Sequence, residues 1–272
     1  MKYVHANSEK IPALGFGTYR LRGQFCVESV KDAILAGYRH IDTAEIYGNE
    51  AETGQGVKLS GISRDDIFIT TKLWPNSLTP NAVRRTTERS LESIGSDYLD
   101  LLLIHWPSSE VPLEDTLGAM NLLKEEGKVR HLGVSNFNIS WLEKALGTNV
   151  PLITNQVEYH VMLSQDKLLN YLRSQNMFLT AYSPLAVGRV ISNDIIQETG
   201  RKHGKTPAQI ALRWLIQQDD VAVVPKASSD KKRHENLNIF DFELDSEDLQ
   251  RIARLEKDRR IIDMPGLSPD WD

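Results

Sequence analysis

Three side chains suited to proton transfer stand at the ends of apolar, β-branched runs: Asp42 in YRHIDTA, Lys72 in IFITTKLW and His105 in LDLLLIHWP. A fourth, Tyr47, follows Asp42 within the stretch RHIDTAEIYGNE. A core strand has no packing reason to finish on a charge, because an unpaired buried charge costs several kcal/mol. Asp42 and Lys72 belong to neighbouring strand-helix units at the same level, so they can neutralise one another, and Tyr47 in the loop after Asp42 can reach that pair. Jointly these four favour a functional reading over separate packing roles. Further strand ends are polar as well: Ser135 with Asn136, Gln156, Tyr182 with Ser183, and Lys226. Taken singly, His105 reads as a satisfied core histidine and Lys72 as a lysine snorkelling over a rim. Taken as successive endings, they read as one site.

The elements that must position these residues follow from periodicity. Eight apolar runs, ALGFGTY, YRHIDTA, IFITTKLW, LDLLLIHWP, RHLGVSNF, LITNQVEYH, FLTAYSPLA and VAVVPKAS, alternate with segments of helical period. Val27, Val30, Ile34 and Tyr38 share one helical face, and Gly37 stands where that helix should close. Val83, Thr87, Leu91 and Ile94 do the same behind a Thr79 cap and Pro80, and Thr206 with Pro207 repeats the device. Repeated strand-helix units imply parallel strands joined by right-handed crossovers, and eight of them can close into an α/β (β/α)8 TIM barrel whose chemistry sits at the C-terminal strand ends. An open doubly wound sheet is the competitor. It normally announces itself by Gly-x-Gly-x-x-Gly after the first strand, whereas here Gly15 and Gly17 are followed by Arg20 in the last place.

Composition narrows the class. The 272 residues carry a net charge of −5, which argues against general affinity for nucleic acid or an anionic membrane surface. Cys26 is the only cysteine, so neither an internal disulfide nor a cysteine zinc site is expected, no metal is called for, and a reduced cytoplasmic setting is the simplest reading. The first residues, MKYVHANSEKIPALGFG, lack an apolar stretch of signal-peptide length, and no segment approaches the roughly 20 apolar residues of a membrane span. The expectation is one domain over residues 1–272, with an N-terminal extension before Pro12 and a C-terminal tail after about Asp258. That tail holds Ile261, Ile262, Met264, Leu267 and Trp271, an apolar content that implies packing across the barrel mouth.

From GFGTYR through GYRHIDTAEIYGNE, TTKLW, LIHWP, GVSNF, NQVEYH, AYSPL and VVPKAS to GLSPDWD, the whole chain resembles the aldo-keto reductases, and within them the bacterial diketogluconate and methylglyoxal reductases. The resemblance implies a catalytic tetrad of Asp42, Tyr47, Lys72 and His105. Tyr47 would be the general acid for a substrate carbonyl, with its pKa tuned downward from about 10 by Lys72. Asp42 would secure Lys72, and His105 would orient the carbonyl oxygen. The substrates implied are small aldehydes and ketones, among them methylglyoxal, diketogluconate and aromatic aldehydes, and the expected state is a monomer.

The same resemblance implies NADPH as cofactor. Gly17, Thr18 and Tyr19 would approach the nicotinamide side, Ser135, Asn136 and Gln156 would bind its carboxamide, and Tyr182 would stack on the ring. Ser183 and Leu185 would line the pyrophosphate. The stretch PKASSDKKRHEN would hold the ribose phosphate and adenine through Lys226, Ala227, Ser228, Lys232, Glu235 and Asn236. Ala227 replaces the usual serine and Lys232 the usual arginine, which removes a hydroxyl and a planar fork, so weaker discrimination against NADH is expected. Tyr19, Trp74, His105, Trp106 and Trp271 are the expected substrate-pocket residues. Two other functions compete: a glycosidase or isomerase using Asp42 and Glu158 as paired carboxylates, and a noncatalytic nucleotide sensor. The first leaves Tyr47, Lys72 and His105 unexplained, and the second has no need of a tyrosine acid.

Overall fold

A computed structural model describes residues 2–6 and 9–272. Each of the eight apolar runs contributes a strand to one parallel sheet: β3 (Phe16–Gly17), β4 (His40–Asp42), β5 (Phe68–Leu73), β6 (Leu99–Ile104), β7 (Val129–Ser135), β8 (Leu152–Glu158), β9 (Phe178–Tyr182) and β10 (Val221–Val223). Strands neighbour one another in chain order from β3 to β10. A parallel bridge between Leu14 and Val223 joins the two ends. Gly15 N–H donates to the Val223 carbonyl at 2.8 Å and Val223 N–H to the Ala13 carbonyl at 2.7 Å, so the sheet closes into the (β/α)8 barrel. Gly17 sits on this seam. A Cβ there would meet the Val224 carbonyl oxygen at 3.0 Å, which explains the glycine at the end of the closing strand.

The intervening helices are α1 (Gly23–Ala36), α2 (Glu50–Leu59), α3 (Pro80–Ile94), α4 (Leu113–Glu125), α5 (Ile139–Leu146), α6 (Asp166–Ser174), α7 (Asp194–His203), α8 (Pro207–Gln217), α9 (Asp230–Leu237) and α10 (Ser246–Ala253). Helix α1 buries Val27, Val30 and Ile34 and ends at Gly37, whose φ of 123° is closed to ordinary side chains. Thr206 caps α8 with a full capping box through Gln209. Thr79 occupies the N-cap position of α3 but its side chain makes no capping bond, so Pro80 alone carries out the expected device. None of the described helices is long and apolar enough to cross a membrane.

Before the barrel, β1 (Tyr3–Ala6) and β2 (Glu9–Pro12) form an antiparallel hairpin. It buries Val4 and Ile11, and its Glu9 carboxylate lies 2.9 Å from His131 Nε2 on β7. After α10 the tail returns to the other end of the barrel. Ser164 N–H donates to the Lys257 carbonyl at 2.8 Å and Arg259 N–H to the Met162 carbonyl at 3.0 Å. Further on, Asn138 donates to the Asp270 carbonyl at 2.7 Å, and the Asp272 carboxylate accepts the Ile139 N–H at the start of α5. An acidic group at a helix N-terminus is favourable there.

Candidate active site

The C-terminal ends of β4, β5 and β6 bring Asp42, Lys72 and His105 to one level, because parallel pairing sets Asp42 against Thr70 and Lys72 against Leu103. Lys72 is fully buried in its side chain, and Asp42 is nearly so. Their ion pair closes at 2.6 Å, and Lys72 Nζ also donates to the Thr43 carbonyl at 2.7 Å. The second carboxylate oxygen of Asp42 accepts from Gln156 Nε2 at 2.8 Å. Both charges are therefore compensated by hydrogen bonds as well as by each other, the condition for keeping a buried pair. Burial lowers the Lys72 pKa while Asp42 raises it. Two of the three Nζ donors are committed, and one is left.

Tyr47 lies on a 3₁₀ turn, Glu45–Tyr47, that follows β4. Its ring centroid is 5.3 Å from Lys72 Nζ, 5.8 Å from the His105 ring and 5.0 Å from the Tyr19 ring. The pKa of its phenol is pushed well above the usual tyrosine value, by burial first and then by the negative charge of Asp42. This corrects the expected downward tuning. The Lys72 ammonium points its bonds at Asp42 and Thr43, so dehydration of the phenol dominates and Tyr47 stays protonated. His105 is held well below its usual pKa by burial and by the Lys72 charge. It is a neutral imidazole. Its Nδ1 is buried without a partner. An orphaned N–H is the rarer and costlier case, which places the proton on Nε2, the nitrogen that keeps access to the pocket.

The turn carrying Tyr47 is pinned from several sides. Arg22 donates to the Tyr47 carbonyl. Asn49 accepts from Thr43 Oγ1 at 2.9 Å and donates to the Thr18 carbonyl at 2.9 Å. Glu50, buried, accepts from Thr71 at 2.6 Å and Ser90 at 3.1 Å. Glu45 accepts from Trp74 N–H at 2.5 Å, tying the turn to the end of β5. Thr43, Glu45, Asn49 and Glu50 were not anticipated as supports, though a polar run of this kind directly after a strand-end carboxylate is the signal that could have found them.

The remaining strand-end residues form a linked polar set. Ser135 donates to the Gln156 carbonyl at 2.8 Å, Asn136 donates to the His105 carbonyl at 2.9 Å, and Tyr182 Oη donates to Asn136 Oδ1 at 2.7 Å. Asn136 and Ser183 hold left-handed conformations, at φ of 62° and 47°. Thr18 is buried and donates to the Asp42 carbonyl at 3.2 Å, whereas Tyr19 is half exposed and Leu185 partly buried. Beyond β10, Lys226, Ser228 and Lys232 face solvent beside the N-terminus of α9, and Glu235 is partly exposed. Ala227 and Asn236 are buried, so they turn inward from that surface. Trp74 meets the His105 ring edge to face at 5.1 Å. Trp106 is buried under Trp271, at 6.4 Å between ring centroids, so Trp106 backs the wall and the tail residue covers it.

Glu158 does not pair with Asp42 across a cleft. Fully buried, it accepts from His160 Nε2 at 2.9 Å, from Ile261 N–H at 2.9 Å and from Ile262 N–H at 2.8 Å. Its oxygens anchor the tail, which removes the second carboxylate that a glycosidase would need.

The aldo/keto reductase family model matches residues 13–257. The glyoxal reductase of Bacillus subtilis is 41% identical over 266 residues, covering 97% of this chain and 94% of that protein. Methylglyoxal reductase DkgB of Escherichia coli O157:H7 is 37% identical over 266 residues, with 96% of this chain and 99% of that protein covered. A crystal structure of a protein provisionally assigned as a 2,5-diketo-D-gluconic acid reductase B superposes with a TM-score of 0.97 at 44% identity, over 100% of this chain and 98% of that one. The chain belongs to the aldo/keto reductase family.

Proposed function

We propose that this oxidoreductase is NADPH-dependent and reduces small aldehydes and ketones, with Tyr47 as the proton donor. The observation that carries the reading is the buried Asp42–Lys72 pair lying beneath a protonated tyrosine and a neutral histidine. Tyr47 holds its proton at neutral pH and gives it to the carbonyl oxygen as negative charge builds there. Lys72 supports the phenolate that remains, through its positive charge and its uncommitted N–H. His105 donates from Nε2 to the same oxygen and so fixes the approach of the carbonyl. Asp42 keeps Lys72 charged in a site where burial alone would neutralise it.

The residues present fit a nicotinamide dinucleotide. Ser135, Asn136 and Gln156 offer amide and hydroxyl groups complementary to a carboxamide, and Tyr182 offers a ring held by its bond to Asn136. Lys226 and Lys232 are exposed cations suited to a phosphate, and neither is ion-paired among the described residues. When bound, the reduced nicotinamide supplies the hydride. Methylglyoxal, diketogluconate and aromatic aldehydes are the substrates this reading favours, in keeping with relatives named glyoxal and methylglyoxal reductases. The test is to mix protein, NADPH and methylglyoxal and follow the absorbance of the reduced nicotinamide. Tyr47→Phe should abolish turnover with NADPH affinity nearly unchanged, and retained turnover would remove Tyr47 as the acid.

A further inference from the structure

The tail carries a cation, Arg260, that makes no direct ion pair among the described residues. Arg260 directly precedes the two residues whose N–H groups dock on Glu158, so its backbone is held beside the ends of β8 and β9. Its guanidinium carbon lies 3.6 Å from the ring centroid of Trp271, which in turn covers Trp106 in the loop after His105. These contacts set the guanidinium against Trp271, near the buried Glu158 and the Tyr182 end of β9. Among the described residues no carboxylate pairs with it, and its Nη1 is buried with no acceptor. The neighbouring Arg259 shows the contrast, since it donates to Glu256 at 2.6 Å.

The acidic and phenolic groups that face Arg260 are Glu158, Tyr182, Asp263 and Asp272. Each is committed elsewhere. Glu158 holds the tail amides and His160, Tyr182 donates to Asn136, Asp263 accepts from Trp271 Nε1 at 3.4 Å, and Asp272 accepts the Ile139 N–H. A desolvated guanidinium with an unmet edge is complementary to a planar anion, which it can grip with two parallel N–H bonds. Trp271 stacks on its face, a contact that uses none of the edge N–H groups.

We propose that Arg260 is a specificity residue of the carbonyl pocket and receives a carboxylate of the substrate, so that oxo acids are preferred over neutral carbonyl compounds of the same shape. The assignment rests on the reductase reading above. Lys226 and Lys232 lie at the β10 and α9 side of the mouth, where they can serve a phosphate, whereas Arg260 lies against the wall that borders His105.

A matched pair of aldehydes separates the possibilities: 4-carboxybenzaldehyde and its methyl ester, each with NADPH. The wild type should favour the acid about tenfold or more in kcat/KM, the factor a single good charge-assisted contact confers. Arg260→Met, which keeps an unbranched apolar stem against Trp271, should collapse that ratio through KM for the acid. Arg260→Lys should fall between, having charge without the fork. NADPH affinity, read by fluorescence titration, should not move. No acid preference in the wild type, or an unchanged ratio in Arg260→Met, overturns the assignment without touching the reductase reading. Equal losses for acid and ester together with weaker NADPH binding overturn it in favour of a cofactor phosphate contact. Reduction of neither aldehyde by the wild type, nor of methylglyoxal, would remove the reductase reading itself.

Discussion

Asp42→Asn isolates the electrostatic role of the buried pair without changing side-chain shape. In the wild type, Lys72 Nζ has Asp42 Oδ1 at 2.6 Å and the Thr43 carbonyl at 2.7 Å, and its side chain has no solvent contact. Removing the carboxylate charge leaves a buried ammonium facing only dipoles, a change that costs about 3–5 kcal/mol when one partner of a buried pair is removed. An independent ceiling comes from letting Lys72 shed its proton on folding. At pH 7, against an unfolded lysine near 10.4, that penalty is at most about 4.6 kcal/mol, from roughly 1.36 kcal/mol per pH unit. The sign follows. Burial lowers the folded pKa of Lys72, and loss of Asp42 lowers it further, so the folded variant binds fewer protons than the unfolded chain and its stability rises with pH. At pH 9.5 the ceiling falls to about 1.2 kcal/mol. Urea unfolding of wild type and variant at both pH values measures this directly, and Lys72→Met added to Asp42→Asn should recover part of the loss. A deficit below about 1 kcal/mol at pH 7, or one independent of pH, would refute the buried charged pair.

Two further outcomes follow from the same geometry. Because burial holds the Tyr47 pKa well above its usual value, a Tyr47 acting as the proposed acid keeps its proton through the neutral range and loses it only as pH rises through that raised pKa, whereas oxidation of an alcohol would use its phenolate. Reduction should therefore be nearly flat from pH 6 to 9 while oxidation climbs up to about tenfold per pH unit, and oxidation that falls with rising pH would contradict Tyr47 as the titrating group. Lys226→Ala should weaken NADPH binding much more than NADH, because only NADPH brings the extra phosphate. Equal losses in a titration with both nucleotides would place Lys226 elsewhere.

Much of this architecture is legible in one sequence because barrel strands have a short, apolar grammar. Every predicted run became a strand, and Asp42, Lys72 and His105 stood out as polar endings to apolar segments. The same grammar has a limit. Asp100 is also a buried strand carboxylate, yet it pairs with Arg64 at 2.7 Å and accepts the Ile69 N–H at 2.9 Å near the start of its strand. Only its place on the strand separates that structural role from the role of Asp42. The particular structural role of Glu158 was not legible for a different reason. Its partners are backbone amides about a hundred residues later, at Ile261 and Ile262, and amides carry no residue identity for a sequence pattern to reveal. The direction of the Tyr47 shift was likewise hidden, since it depends on where the Lys72 donors point and how much water the fold excludes.

The anchoring of the tail has a consequence for how such a catalyst can diversify. Glu158 grips main-chain N–H groups at one end, and the first turn of α5 receives the Asp272 carboxylate at the other. Neither fastening depends on most of the side chains strung between them. The span from Met264 to Asp270 is therefore less constrained in sequence than the strand ends that carry Asp42, Lys72 and His105. A graft of the residues between the two fastenings is a unit on which selection, or an engineer, can act without moving Asp42, Lys72 or His105.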